Sequence, residues 1–221
     1  MRILQSLSLF SFMIAATALT SCDSGGRKAA AEKDGLPIFG EEQILKTDDD
    51  GNEYIDTVYR TVDNFAFINQ DSQVITEENF DGKVRVVDFF FTSCPTICPD
   101  MKKQMLRIYK EFEDHNDVRL LSHSIDTKHD SVPVLRKYAE KMEVSAPKWH
   151  LITGDKNMIY NVAEKYMVSA EKDNTAPGGY LHSGAFVLID QQHRIRGYYD
   201  GTDPGEVNEL MEDMKKLLVE K

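Results

Sequence analysis

Apolar residues recur along the chain in two alternating rhythms, and these predict the elements. The run Val84-Arg85-Val86-Val87-Asp88-Phe89-Phe90-Phe91 is the strongest apolar stretch outside the N-terminal segment, and it predicts a buried strand. From Pro99 the apolar positions spread to Met101, Met105, Ile108, Tyr109 and Phe112, the spacing of one helix face. Residues 118–125 predict a second strand, and Val132, Leu135, Tyr138, Ala139 and Met142 a second helix. Residues 149–153 predict a third strand, after which Asp155 caps a helix bearing Met158, Ile159, Val162, Ala163 and Tyr166. Upstream, Phe65, Phe67 and Val74 predict a short hairpin turning near 69–72. Downstream, 185–190 and 195–199 predict two strands around a Gln191-Gln192-His193 turn. A last helix opens with Asp203 and Glu206 in capping-box positions and Pro204 at the first helical position. Strands and helices that alternate and close on a hairpin and a helix describe an α/β sandwich, a central mixed sheet flanked by helices.

The first 22 residues break this rhythm. Arg2 is their only charge, an apolar stretch runs over 7–19, and Leu19-Thr20-Ser21-Cys22 follows. The stretch is short for a membrane span and leads into small residues, the pattern of a secretory signal. The tetrapeptide resembles a bacterial lipobox, with Cys22 as the lipidated first residue of the mature protein; an ordinary cleaved signal and an uncleaved anchor are the alternatives. Residues 23–36 are small and polar, a flexible tether that would hold a domain off the membrane. Residues 37–61 form an N-terminal extension, a strand or surface arm around the acidic turn Asp48-Asp49-Asp50-Gly51-Asn52, and 62–221 is the domain proper.

The chain of 221 residues carries a net charge of −11, and removing residues 1–22, with the single charge of Arg2, takes it to −12. Such an acidic chain is not expected to bind nucleic acid or anionic membrane by electrostatics. The domain is long enough for one good core.

Chemistry concentrates in Cys94-Pro95-Thr96-Ile97-Cys98-Pro99, at the end of the first core strand. With Cys22 given to lipid, Cys94 and Cys98 remain as a pair in an oxidising compartment. A bridge between residues so close would staple little. Two soft donors can instead hold a thiophilic metal or cycle between dithiol and disulfide. Pro99 in the first helical turn makes Cys98 the cap residue, where the helix dipole is expected to lower its pKa.

The order of elements, with cysteines after the first core strand, looks like a thioredoxin-like fold. The segment 89–99, Phe-Phe-Phe-Thr-Ser-Cys-Pro-Thr-Ile-Cys-Pro, resembles the signature of the Sco/SenC family, copper-handling proteins of cytochrome c oxidase assembly. Three further stretches resemble the same family in order: Ser124-Ile125-Asp126-Thr127-Lys128-His129-Asp130, Trp149-His150-Leu151-Ile152-Thr153-Gly154-Asp155, and Tyr180-Leu181-His182-Ser183 with Phe186-Val187-Leu188-Ile189-Asp190. The resemblance covers roughly residues 60–220. It implies copper ligands at Cys94, Cys98 and His182, with thiolates suited to Cu(I) and the imidazole allowing Cu(II). It implies a membrane-anchored copper chaperone for the binuclear copper site of cytochrome c oxidase, in the bacterial cell envelope and facing the periplasm. Its partner would be the copper-site subunit of the oxidase. A thiol–disulfide oxidoreductase that keeps that site's cysteines reduced is the alternative, using a reversible Cys94–Cys98 disulfide and a thiol reductant partner.

Asp88 lies six residues before Cys94, the offset of the buried proton-accepting acid of thioredoxins, so a proton relay is expected there against an acid merely paired with a neighbour. Asp126 is expected behind the ligands or at a partner-docking surface, although Thr127 stands where the family has proline and Val132 is inserted. The Gly- and Pro-bearing loop 168–181 is expected to leave His182 mobile. His123 is expected to be packed, and His115, His129, His150 and His193 to lie on the surface or in turns. Met101 and Met105 fit the core face of their helix better than a soft ligand set.

Overall fold

The computed structural model describes residues 35–62 and 64–220. The signal segment, Cys22 and all but the last two residues of the tether lie outside them. In chain order the strands and helices are β1 (Glu41–Thr47), β2 (Glu53–Tyr59), β3 (Ala66–Asn69), β4 (Val74–Thr76), β5 (Val84–Phe90), α1 (Cys98–Glu111), β6 (Val118–Ser124), α2 (Val132–Met142), β7 (Trp149–Thr153), α3 (Lys156–Lys165), β8 (Ala170–Lys172), β9 (Tyr180–His182), β10 (Ala185–Ile189), β11 (Ile195–Asp200) and α4 (Pro204–Val219).

Among the described residues a seven-stranded mixed sheet runs in the order β11-β10-β5-β6-β7-β3-β4. Its middle is parallel, β5 against β6 and β6 against β7, whereas β10 joins β5 antiparallel. Every residue of β5 is buried, as fits a strand covered on both faces whose apolar run is interrupted only by Arg85 and Asp88. Helix α2 packs on β7 and β3, and α4 on β11 and β5. The apolar stripe of α1 faces inward, with Met101, Met105 and Ile108 buried; both methionines are core residues.

Two charges in β5 are accommodated differently. Arg85 donates from Nη1 to His193 Nδ1 at 2.9 Å, and His193 Nε2 donates to Asp81 Oδ1 at 2.9 Å, so charge is led out to the surface. Asp88, three residues on, has a hydroxyl donor instead and belongs to the site described below. Asp155 caps α3 as expected, accepting from the amides of Asn157 and Met158. Asp203 caps α4, but the reciprocal half of the expected box is absent: Glu206 Oε2 takes the Asp200 amide at 2.6 Å instead. The acid thus closes the turn after β11 rather than the cap itself.

The extension before the domain is a two-stranded hairpin, β1 with β2, whose β1 residues are all exposed. Bridges Phe39–Ile195 and Thr61–Arg194 hold its base to the start of β11 and the turn before it. No helix among the described residues is long and apolar enough to cross a membrane.

Candidate metal centre

Strand β5 delivers the chain to Phe91, and a tight turn begins there, with the Cys94 amide donating to Phe91 O at 3.2 Å. Helix α1 begins at Cys98, so Ile97 is its cap residue and Cys98 its first helical residue. This corrects the expected cap by one position and matters for the chemistry. Cys98 is turned inward and buried, whereas Cys94 is half-buried at the rim; both are free thiols. Burial, with a further contribution from Cys94, pushes the Cys98 thiol well up, the reverse of the lowering expected from the helix dipole. Burial acts upward on Cys94 too, but hydrogen bonds from Cys98 and the Thr96 backbone and hydroxyl outweigh it and leave Cys94 below an ordinary thiol. Desolvation wins at Cys98 because the positive helix end cannot offset removal of a thiolate from water. The thiolate is therefore favoured at Cys94 over Cys98.

His182 comes from β9, far along the chain. Its Nδ1 lies 3.0 Å from Ser183 O, and a carbonyl only accepts, so that nitrogen carries the proton. Nε2 keeps its lone pair and faces Cys98 Sγ at 3.3 Å. Burial lowers the pKa of His182, which favours the neutral form a metal ligand needs. The ligand atoms of Cys94, Cys98 and His182 all lie within 4.8 Å of one another. The loop expected over 168–181 contains a short hairpin, β8 with β9, in which Ala170 pairs with His182. His182 is thus the buried end of a strand rather than a residue of an open loop.

The surroundings divide into two spaces. Outside, an open cleft of about 560 Å³ is lined by Phe91, Cys94, Thr96, Ile97, Tyr180 and His182 among others. Inside, a cavity of about 10 Å³ lies among Asp88, Cys98, Met101, Met105, Ser122 and Tyr138, room for about one water. Asp88 is buried there, accepting from Ser122 Oγ, which in turn accepts from Trp149 Nε1 at 2.9 Å. Burial raises its pKa to about 7 against the downward pull of the Ser122 hydrogen bond.

Asp126, two residues past β6, accepts from the Tyr180 hydroxyl at 2.8 Å. Asp130 is fully buried and ties three pieces together. It accepts from the Thr92 amide at 2.9 Å, from Ser124 Oγ at 2.7 Å and from His129 Nδ1 at 2.9 Å. Gly178 has φ +81°, and a Cβ there would meet the Phe91 ring at 2.8 Å, so the turn before β9 sits directly on the residue preceding the cysteine loop. Positive φ and close approach both call for glycine. Tyr180 stood in the sequence only within a stretch that resembles the family, and neither its contact with Asp126 nor that of Gly178 with Phe91 is local in the chain.

Of the other histidines, His115 and His129 are exposed and His193 sits in its turn. His123 is packed, stacked on Phe89 with centroids 4.7 Å apart, and burial drives its pKa to about 3. His150 corrects the expectation: it is buried, its Nδ1 accepts from Asn69 Nδ2 at 3.1 Å, and burial lowers its pKa to about 4. It alternates inward on β7, which is covered on both faces.

Comparison with known proteins places this arrangement. The model of the SCO1/SenC family matches residues 55–219. A SCO1/SenC family lipoprotein from Bacillus anthracis is similar in structure with a TM-score of 0.66 and 29% identity, covering 72% of this chain and 96% of its own. BsSco, a member of the Sco family of cytochrome c oxidase assembly proteins in which a disulfide switch is identified, has a TM-score of 0.64 and 29% identity, covering 74% and 96%. Yeast Sco1 with copper bound has a TM-score of 0.56 and 25% identity, covering 71% and 89%. The fold is thioredoxin-like, as the element order implied.

Proposed function

The chain belongs to the SCO1/SenC family, and on that footing we propose that it binds copper through Cys94, Cys98 and His182 and serves assembly of the binuclear copper site of cytochrome c oxidase. The observation that carries the proposal is the convergence of two sulfurs and one imidazole nitrogen within 4.8 Å from two distant segments. That donor set is soft enough for Cu(I) and offers the nitrogen that Cu(II) prefers. The copper-bound yeast relative supports the choice of metal. Cys94, at the rim of the open cleft, would pass copper outward to the oxidase subunit, while Cys98 and His182 hold it from beneath. A lipid on Cys22, followed by the 23–36 tether and the domain from 62, would keep the site outside the cytoplasm and near its membrane-bound recipient; the Bacillus anthracis relative is itself a lipoprotein.

Reduced protein lacking residues 1–22 is expected to bind one copper per chain. Titration with a competing chelator reads the stoichiometry, and a chain that takes up no copper below micromolar free metal would sink the proposal.

A specific observation favours a second activity at the same residues. Asp88 and Cys98 line one small cavity, and an acid with a pKa of about 7 can take a proton at neutral pH. In dithiol exchange Cys94 thiolate would attack a partner disulfide, forming a mixed disulfide and releasing one partner thiolate. Cys98, losing its proton to Asp88, would then attack Cys94, release the second partner thiolate and leave a Cys94–Cys98 disulfide. A thiol reductant must reset the pair. The disulfide form would not bind copper, because the ligand is the thiolate.

Asp88→Asn is expected to slow exchange with a small dithiol by on the order of tenfold or more while leaving Cu(I) affinity nearly intact. It should also stabilise the fold at alkaline pH. The folded chain holds the Asp88 proton more tightly than the unfolded one, so that contribution is present at acid pH and lost as pH rises to about 7. Removing the ionisation is worth at most roughly 4 kcal/mol above that pH. Unchanged exchange with lost copper binding would show that Asp88 serves the metal and not the thiols.

A further inference from the structure

Strand β9 sets Tyr180 and His182 on one face and Leu181 on the other, as strand alternation requires. Leu181 is accordingly exposed, while His182 is buried. The inward face rests on Phe91, with the Tyr180 ring centroid 5.3 Å and the His182 ring centroid 6.1 Å from that of Phe91. The hairpin of β8 and β9 is a separate two-stranded sheet with no ladder to the main one. Each of its strands has three residues, too little to be stable alone. Backbone hydrogen bonds tie its two ends, Val168 N to Ala163 O at 3.1 Å and Gly201 N to Gly184 O at 2.7 Å, so between those anchors its position over the cysteines depends on side-chain contacts. The Phe91 contacts are apolar and weakly directional. The hydrogen bond from the Tyr180 hydroxyl to Asp126 Oδ1, at 2.8 Å, is directional and made to a carboxylate. Gly178 and Gly179, both with positive φ, form the turn that leads into β9.

We infer that Tyr180 and Asp126 form a latch that holds the β8–β9 hairpin closed, keeping His182 on Cys98, so that histidine ligation is the releasable part of the site. Cys98 is only 4% exposed, and His182 Nε2 of the closed hairpin lies 3.3 Å from its sulfur. Opening it would withdraw His182 and uncover Cys98 while leaving Cys94 in the turn after β5 and Cys98 at the start of α1. Two thiolates still satisfy Cu(I), whereas Cu(II) loses its nitrogen. A recipient that opens the latch would thus meet copper held by sulfur alone. The latch itself is a property of the hairpin; its effect on copper rests on the ligand set proposed above.

The test has a metal-free arm. In a Cys94→Ser background, iodoacetamide alkylates only Cys98 among the domain's thiols, and its rate reads hairpin opening. Tyr180→Phe and Asp126→Ala are each expected to speed alkylation by about tenfold, the size of one lost charge-assisted hydrogen bond. The double variant should be no faster than either alone, and Asp126→Asn, which keeps an acceptor oxygen but loses the charge, should fall between the parent and Asp126→Ala. Single variants without effect, or a double variant that multiplies the two effects, would overturn the latch. In the second arm, with both cysteines present, Tyr180→Phe should speed Cu(II) transfer to a chelator by a similar factor and leave Cu(I) affinity within about twofold. Tenfold faster alkylation in a protein whose parent binds no copper would keep the latch and remove the copper reading.

Discussion

Serine at both Cys94 and Cys98 is expected to abolish copper binding, with Cu(I) affinity falling by far more than the ~100-fold that loss of a mere outer partner of a metal ligand costs. Hydroxyl oxygen is a poor donor for Cu(I), and among the described residues the cluster holds no cysteine besides Cys94 and Cys98. Met101 and Met105 line the inner cavity as part of the α1 core face. The variant should fold. Cys94 is at the rim, and a serine hydroxyl at buried position 98 costs about 1–3 kcal/mol if it finds no partner there. Copper-loaded wild type should show the intense visible absorption of thiolate–Cu(II) charge transfer, and the double variant should show none. A full-strength band in the double variant, with a native circular dichroism spectrum, would place the copper elsewhere.

His182→Ala is expected to separate the two oxidation states. Cu(II) affinity should fall by about 100-fold or more, and Cu(I) affinity by less than about tenfold, because paired thiolates suffice for the reduced ion. The structure adds a reason for the size of the effect. His182 needs no rearrangement to bind: its Nδ1 proton is fixed on Ser183 O and its Nε2 already faces Cys98 at 3.3 Å. Burial lowers its pKa, so it keeps its neutral form to lower pH than an exposed histidine does. Cu(II) binding by the wild type should accordingly persist below the pH at which an exposed histidine would protonate and release the metal. Competition titrations of both ions against both proteins read this directly. Equal losses for Cu(I) and Cu(II) would remove the imidazole from its assigned part.

Much of the scaffold could be read from local pattern. The seven buried residues of β5, the inward stripe of α1 and the caps at Asp155 and Asp203 each depend on neighbours within a few positions, so periodicity exposes them. The site was legible to a different degree. Cys94 and Cys98 announce themselves by spacing after a core strand. His182 did not; its part came from resemblance to a family, since an isolated histidine carries no chemical signature of its own. Where local reasoning was pressed further it erred in sign. A cysteine beside a helix start is expected to be acidic, yet Cys98 is held protonated by burial and Cys94, farther from the helix, is the acidic one.

The amino-acid sequence alone determined the α/β element order, the buried strand that carries the cysteines, the soft donor pair and the acid six residues before it. These follow from side-chain type and short-range spacing, which the backbone geometry of strands and helices converts directly into faces. Only the tertiary structure decided which sulfur is buried, which nitrogen of His182 is free, that His150 is interior, and that Tyr180 reaches Asp126 across 54 positions of chain. Each of those depends on desolvation or on a hydrogen bond between distant segments. Burial and long-range pairing are set when β9 folds back over the end of β5, and no local pattern records where that contact falls.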